Sequence, residues 1–240
     1  RRARKIVTVG VIITVCGCFP ANADTDENLI HAETLLETGK PDSAAVLLYD
    51  ILDMIGDNDK ETRIRTLYNL ARAMNQLDRL SEEFNYLMMA CNDSVKVEYA
   101  DDVRYLFART LFETERYDDS IAIVREFRDQ FAESPLVPDM LFIAGNAYMQ
   151  KRDFLRATNM FTEISRSFPS TEIAREAIMK EGVCLYNLDL INGAIERLEL
   201  YVLQASQGEN MADALFYLGN AYDKNNQREQ AMAVFKRLVT

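Results

Sequence analysis

Residues that interrupt helices are scarce in this chain: 9 Gly and 5 Pro among 240 residues. That scarcity excludes collagen-like and glycine-rich fibres and suits a mostly helical protein. Tryptophan is absent, which removes the commonest aromatic platform for a sugar. Histidine occurs once, as His31, so a Ser-His-Asp or Cys-His system would rest on that residue alone. It falls among positions patterned as helix core and reads as a packed or half-exposed side chain. Basic residues are outnumbered, 27 Lys and Arg against 38 Asp and Glu, for a net charge of −11. A chain so acidic lacks the basic face of a nucleic-acid binder. Glycine-rich phosphate loops, His/Cys metal spacings and calcium-loop patterns are missing. These gaps predict a protein that is not an enzyme and uses no metal and no cofactor. With 48% hydrophobic residues, disorder is excluded as well.

The four cysteines divide between two regions. Residues 1–23 begin Arg1-Arg2-Ala3-Arg4-Lys5, continue as an apolar run from Ile6 to Phe19, and end Pro20-Ala21-Asn22-Ala23. A basic start, a short apolar stretch and a small-x-small site are the grammar of a secretory signal. The run is shorter than the roughly 20 residues that a spanning helix needs. Cleavage after Ala23 is the expected outcome. A second outcome stays open, because Val15-Cys16-Gly17-Cys18 resembles a bacterial lipobox, in which Cys18 would carry lipid and become the mature N-terminus. Either outcome exports the chain, to the periplasm or the outer membrane of a Gram-negative bacterium. Without the leader, 23 basic residues face 38 acidic ones, or −15, which argues against direct binding to anionic lipid. Cys91 and Cys184 remain, too few for a disulfide framework.

The largest pattern is a repeat. Residues 141–148 read Leu-Phe-Ile-Ala-Gly-Asn-Ala-Tyr, and residues 215–222 read Leu-Phe-Tyr-Leu-Gly-Asn-Ala-Tyr. Gly182 lies between them, 37 residues from both Gly145 and Gly219. Backward steps of 37 reach Ala108 and Ala71, and a step of 39 across the Gly56–Asp59 loop reaches Ala32. The pattern predicts six units, each of two amphipathic helices A and B, at 25–63, 64–100, 101–137, 138–174, 175–211 and 212–240. Together they make a solenoid over 24–240. In the fourth unit, helix A is expected at 137–150 and helix B at 154–167, with Lys151-Arg152-Asp153 as the turn.

Small residues at 32, 71, 108, 145, 182 and 219 let the two helices approach. A second small column, Ala44, Ser120, Ala157, Ala194 and Ala231, opposes them from helix B. Glu83 interrupts that column in unit two and puts close packing there in question. Leu35, Met74, Leu111, Tyr148, Leu185 and Tyr222 on helix A fill the space between. On helix B the same part is played by Leu48, Leu87, Val124, Phe161, Leu198 and Phe235. Cys91 and Cys184 fall in units two and five, too far apart for a bridge. The acidic pairs Glu82-Glu83 and Asp118-Asp119 fall at helix-B starts, where the helix dipole favours them.

Leu141, Gly145, Tyr148, Phe154, Ala157, Phe161 and Pro169 resemble the consensus of the tetratricopeptide repeat, and Leu215, Gly219, Tyr222, Ala231 and Phe235 match it again. Units of 37 residues joined by links such as Phe168-Pro169-Ser170 are similar to those of exported, periplasmic members. The outer-membrane assembly lipoprotein and the Tol-associated periplasmic coordinator are two such members. The resemblance implies an all-α fold, a right-handed superhelical α-solenoid whose helices A line a concave face.

Read by column, the candidate partner-binding residues on that face start with Tyr68, Tyr105, Phe142, Met179 and Phe216. Arg72, Arg109, Asn146 and Asn220 follow four positions on, and Phe112, Met149 and Tyr186 three further still. Aromatic and Arg residues are the usual interface anchors. The same aromatics equally suit packing between neighbouring helices A. The first-turn column Asp26, Arg65, Asp102, Asp139, Glu176 and Asp213 is acidic except at Arg65. The family's carboxylate clamp needs Lys where Phe142 and Phe216 stand, so binding of chaperone C-termini is not expected. The resemblance implies a non-enzymatic scaffold in the bacterial cell envelope, holding a peptide or protein partner along the concave face. The alternative is an N-terminal sensory or docking array of a larger envelope protein with a downstream transmembrane signalling or catalytic domain. It is suggested by the stop at Leu238-Val239-Thr240, inside helix B and without a polar cap.

Overall fold

The computed structural model describes residues 21–55, 59–92, 99–204 and 210–239. Twelve α-helices occur among them, and no strand. They pair as α1 (Ala21–Glu37) with α2 (Pro41–Met54), α3 (Lys60–Gln76) with α4 (Leu80–Asn92), and α5 (Ala100–Glu113) with α6 (Tyr117–Gln130). The series continues with α7 (Val137–Gln150) and α8 (Phe154–Ser167), α9 (Glu172–Asn187) and α10 (Ile191–Gln204), and α11 (Met211–Lys224) and α12 (Arg228–Val239). The helices expected at 137–150 and 154–167 have those bounds. The apolar leader and Cys18 lie outside the described residues.

Each pair turns on one left-handed residue: Gly39, Asp78, Glu115, Arg152, Asp189 or Asn226, at φ between 55° and 70°. The residue after it donates its N–H back to a helix-A carbonyl, as Asp153 does to Tyr148 at 2.9 Å and Gln227 to Tyr222 at 2.8 Å. This closes the helix with a Schellman-type cap. The acceptors are Leu35, Met74, Leu111, Tyr148, Leu185 and Tyr222, the large column of helix A, so one side chain both packs the pair and marks its turn. Asp59 and Asp153 cap α3 and α8 by accepting from Thr62 and Arg156 N–H groups.

Consecutive helices pack in chain order throughout. Helices A also touch across units, α1 with α3, α5 with α7, α7 with α9 and α9 with α11, whereas among the described residues no helix B contacts the next one to that extent. A layer that is closer-spaced on its A side curves with helices A inside. Contact of that extent is missing between α3 and α5. Ala32, Ala71 and Ala108 are fully buried, as are Leu48, Leu87 and Phe161 of the facing helix-B column. The Ser120 hydroxyl donates to the Ala108 carbonyl at 2.8 Å, so the polar member of the small column is satisfied.

Several side chains differ from the expectation. His31 is exposed on α1 and joins no core. Glu83 does not loosen its junction: it is fully buried, with Oε1 2.8 Å from the Thr110 hydroxyl and Oε2 accepting from Asn75 at 3.1 Å. Cys91 and Cys184 are free thiols, and burial pushes them up to about 11 and about 12.

Glu181 is the second buried carboxyl. Burial drives its pKa up, against the Thr162 hydrogen bond at 2.9 Å and the nearby Arg197, and its Oε2 has no hydrogen-bond partner. The native state therefore holds this proton more tightly than the unfolded chain. Its contribution to stability is present below the ordinary carboxyl range and is lost as pH rises through the native value. Glu181→Gln mimics the protonated form. It is expected to melt with wild type at about pH 4 and above it at about pH 7; a gap that stays constant between the two would contradict this.

Candidate functional site

The parted helices α3 and α5 leave a cavity of about 220 Å³ on the A side. Tyr68, Arg72, Asn75 and Gln76 line it from α3, and Tyr105, Leu106 and Arg109 from α5. The helical spacing of 68, 72 and 75, and of 105 and 109, aims these side chains from one face of each helix. Four of the sequence candidates thus come together: Tyr68, Arg72, Tyr105 and Arg109.

A polar network fixes one wall. Arg65 grips Glu33 of α1 with both ends of its guanidinium, at 2.8 and 2.7 Å. Asn69 donates to the same carboxylate at 2.9 Å and accepts from Arg72 at 3.0 Å. Burial pushes the Glu33 carboxyl upward, but the hydrogen bonds from Arg65 and Asn69 and the Arg65 charge outweigh it and hold it below its ordinary value. Tyr99 stacks on Tyr68, with ring centroids 6.1 Å apart, and lies under Arg65. Arg72 covers the Tyr68 ring at 5.6 Å. Burial, then the charge of Asp102, raises the Tyr68 phenol, so it stays a neutral donor. The other wall is less satisfied. Arg109 Nε is buried without a hydrogen-bond partner, and its ion pair to Glu113 of the same helix measures 3.4 Å.

The remaining candidates spread along the A layer. Phe142 packs edge-on against Phe161, and Phe112 lies tilted against Tyr117, so both make contacts with the neighbouring helix B. Met179 is only 3% exposed and belongs to the core between α9 and α11. Met149 and Asn146 are half-buried. Tyr186 lies beside Tyr217 and beneath the Lys224 ammonium at 4.4 Å. Phe216 is 50% exposed, and Asn220 donates to the Phe216 carbonyl.

Tyr99 and Arg65 escape the column reading. Tyr99 precedes α5 and sits in no helix column; Arg65 is signalled only as the one base in an acidic first-turn column. A larger cavity, about 360 Å³, lies against α6, α7 and α8 and is lined by Ile121, Val124, Arg125, Arg128, Asp129, Ala144, Tyr148 and Met160. It contains none of the candidates, and Arg128 beside it is neutralised by Glu163 at 2.7 Å. Among the described residues no group of His, Cys, Asp and Glu is placed to hold a metal, and no helix is long and apolar enough to cross a membrane.

Helix pairs stacked with one layer inside the curve define an α-solenoid repeat protein. Models of the tetratricopeptide repeat match residues 105–158 and again residues 213–240, so these segments carry tetratricopeptide repeats. The chain's fold is similar to that of PilF from Pseudomonas aeruginosa, at 15% identity and TM-score 0.69 over 90% of this chain and 91% of that one. A tetratricopeptide repeat protein from Parabacteroides merdae superposes at TM-score 0.70 with 14% identity, over 90% of this chain and 79% of that one. YrrB, a repeat protein described as having an unusual peptide-binding site, gives 0.63 at 15% identity, over 80% and 90% of the two chains. At such identities the likeness is one of fold. No curated protein matches the sequence.

Proposed function

We propose that the chain is an exported, non-enzymatic scaffold that holds an extended segment of a protein partner along its A-helix face in the bacterial envelope. The observation that carries this reading is the cavity between α3 and α5, where two Arg and two Tyr from adjacent helices meet. Such residues are the usual anchors of protein interfaces. The peptide-binding site described for YrrB supports it by analogy of fold. Export rests on the leader grammar of residues 1–23; mass spectrometry of the mature N-terminus reads Asp24 for cleavage after Ala23 or lipid-bearing Cys18 for anchoring.

Phe142 is an unsuitable probe, because removing it would disturb Phe161. Tyr105→Ala combined with Phe216→Ala tests the face instead. Helicity by circular dichroism is expected to stay unchanged, while capture of crosslinked envelope proteins falls at least about tenfold, as expected for loss of interface anchors. Leu155→Ala, at an exposed position on α8, serves as the outer-layer control. Equal capture by all three proteins would move the site off the A-helix face.

A further inference from the structure

We infer that the cavity between α3 and α5 is a subsite for one acidic side chain of the bound segment, an inference that rests on the scaffold reading above. In a chain of net charge −11, no carboxylate lines this cavity among the described residues; its polar lining is Arg, Tyr and side-chain amide. Its two arginines are under-used. Arg65, one turn away, shows what saturation looks like: its guanidinium is clamped by the Glu33 carboxylate on two bonds. Arg72 instead donates to the neutral amide oxygen of Asn69. Arg109 Nε is buried and makes no hydrogen bond; its one acidic neighbour is Glu113 Oε1, in a loose ion pair at 3.4 Å.

A buried donor left unpaired costs free energy, and a carboxylate offers the two acceptor oxygens that a guanidinium fork matches. Stacking of Arg72 on Tyr68 orients that fork. The nearby acids do not fill the role. Glu113 reaches Arg109 Nε only at 3.4 Å, without making a hydrogen bond. Asp102 interacts with Arg72 through charge alone, and burial and Asp101 outweigh that attraction and raise its pKa. The A-helix face continues on both sides of the cavity, toward Glu33 of α1 and toward Phe142 and Asn146 of α7. A segment lying along that face passes through rather than ending there, so the carboxylate is that of a Glu or Asp side chain and not of a chain terminus.

The test uses the whole mature chain and a random peptide library displayed as an internal insertion on phage, which offers no free C-terminus. Selected peptides are expected to be enriched in Asp or Glu at one position. A capped synthetic peptide from that set should lose roughly 10- to 100-fold in affinity when its acid is changed to the amide. Arg72→Gln and Arg109→Gln should each erase the preference for acid over amide, with unchanged circular dichroism. Arg109→Lys, which keeps the charge but not the Nε–H, should retain only part of it. Arg125→Gln, on the outer layer, should leave it intact. Selection of peptides without any acid preference overturns this inference and leaves the scaffold reading standing. Tighter binding of a free C-terminal acid than of its amide overturns the side-chain assignment. Selection of no peptide at all overturns the scaffold reading, and this inference with it.

Discussion

Replacing Phe161 with Ala is expected to destabilise the fourth helix pair by about 3–5 kcal/mol. Phe161 is fully buried, edge-on to Phe142 and pressed against the α-carbon of Gly145. A β-carbon added at Gly145 would stand 2.6 Å from the ring, closer than side chains tolerate. Gly145→Ala alone should therefore cost about 1–3 kcal/mol by overpacking. The two positions are one device, since Ala32 faces Leu48 and Ala71 faces Leu87 with the same separation of 16 residues. Gly145→Ala together with Phe161→Leu rebuilds that Ala–Leu pairing. Its cost is expected to fall below the sum of Gly145→Ala and Phe161→Leu made singly by more than about 0.5 kcal/mol. Because each unit touches only its neighbours, hydrogen exchange should quicken in α6 to α9 and stay slow in α1 and α2. Strict additivity of the single costs would mean that glycine serves some purpose other than the ring.

The same column logic explains what the sequence made legible. A spacing that recurs is imposed by packing, so the small and large columns, the turns and both helices of unit four could be read from residue types alone. The candidate face was readable only in part, because exposure depends on whether the next helix A closes over a position. Tyr68, Tyr105, Met179 and Phe216 share one column, yet their surroundings differ. Met179 is covered where α9 meets α11, and Tyr68 and Tyr105 line a cavity where α3 and α5 part. Phe216 lies on α11, beyond which no further helix A is described, and stays half exposed. Spacing along a chain carries no information about the gap between α3 and α5, nor about Tyr99, which precedes α5 and stacks on Tyr68. His31 was misplaced for a related reason: an apolar pattern fixes the core side of α1 only to within a residue or so, and this position falls on the solvent side.

Glu83 shows how an exception to the column is accommodated, and its partner gives the second large effect. Thr110→Val removes a hydroxyl without changing shape, and it is expected to cost about 1–3 kcal/mol by leaving Glu83 Oε1 buried without a partner. The Thr110 hydroxyl lies 2.8 Å from that oxygen and 2.9 Å from the Leu106 carbonyl of its own helix, so it has two available acceptors. The Leu106 carbonyl lies within α5 and can use the helix ladder, whereas the Glu83 oxygen is enclosed between α4 and α5. Glu83→Ala restores the small residue found in the other units and makes the Thr110 hydroxyl dispensable. In that background Thr110→Val is expected to be nearly neutral, giving a coupling on the order of 1–2 kcal/mol in the double-mutant cycle. The two single variants and the double variant, melted in denaturant with α4 and α5 followed by hydrogen exchange, measure it. An equal cost of Thr110→Val in both backgrounds would assign the hydroxyl to Leu106, leaving Asn75 as the residue that makes a carboxyl tolerable at the centre of unit two.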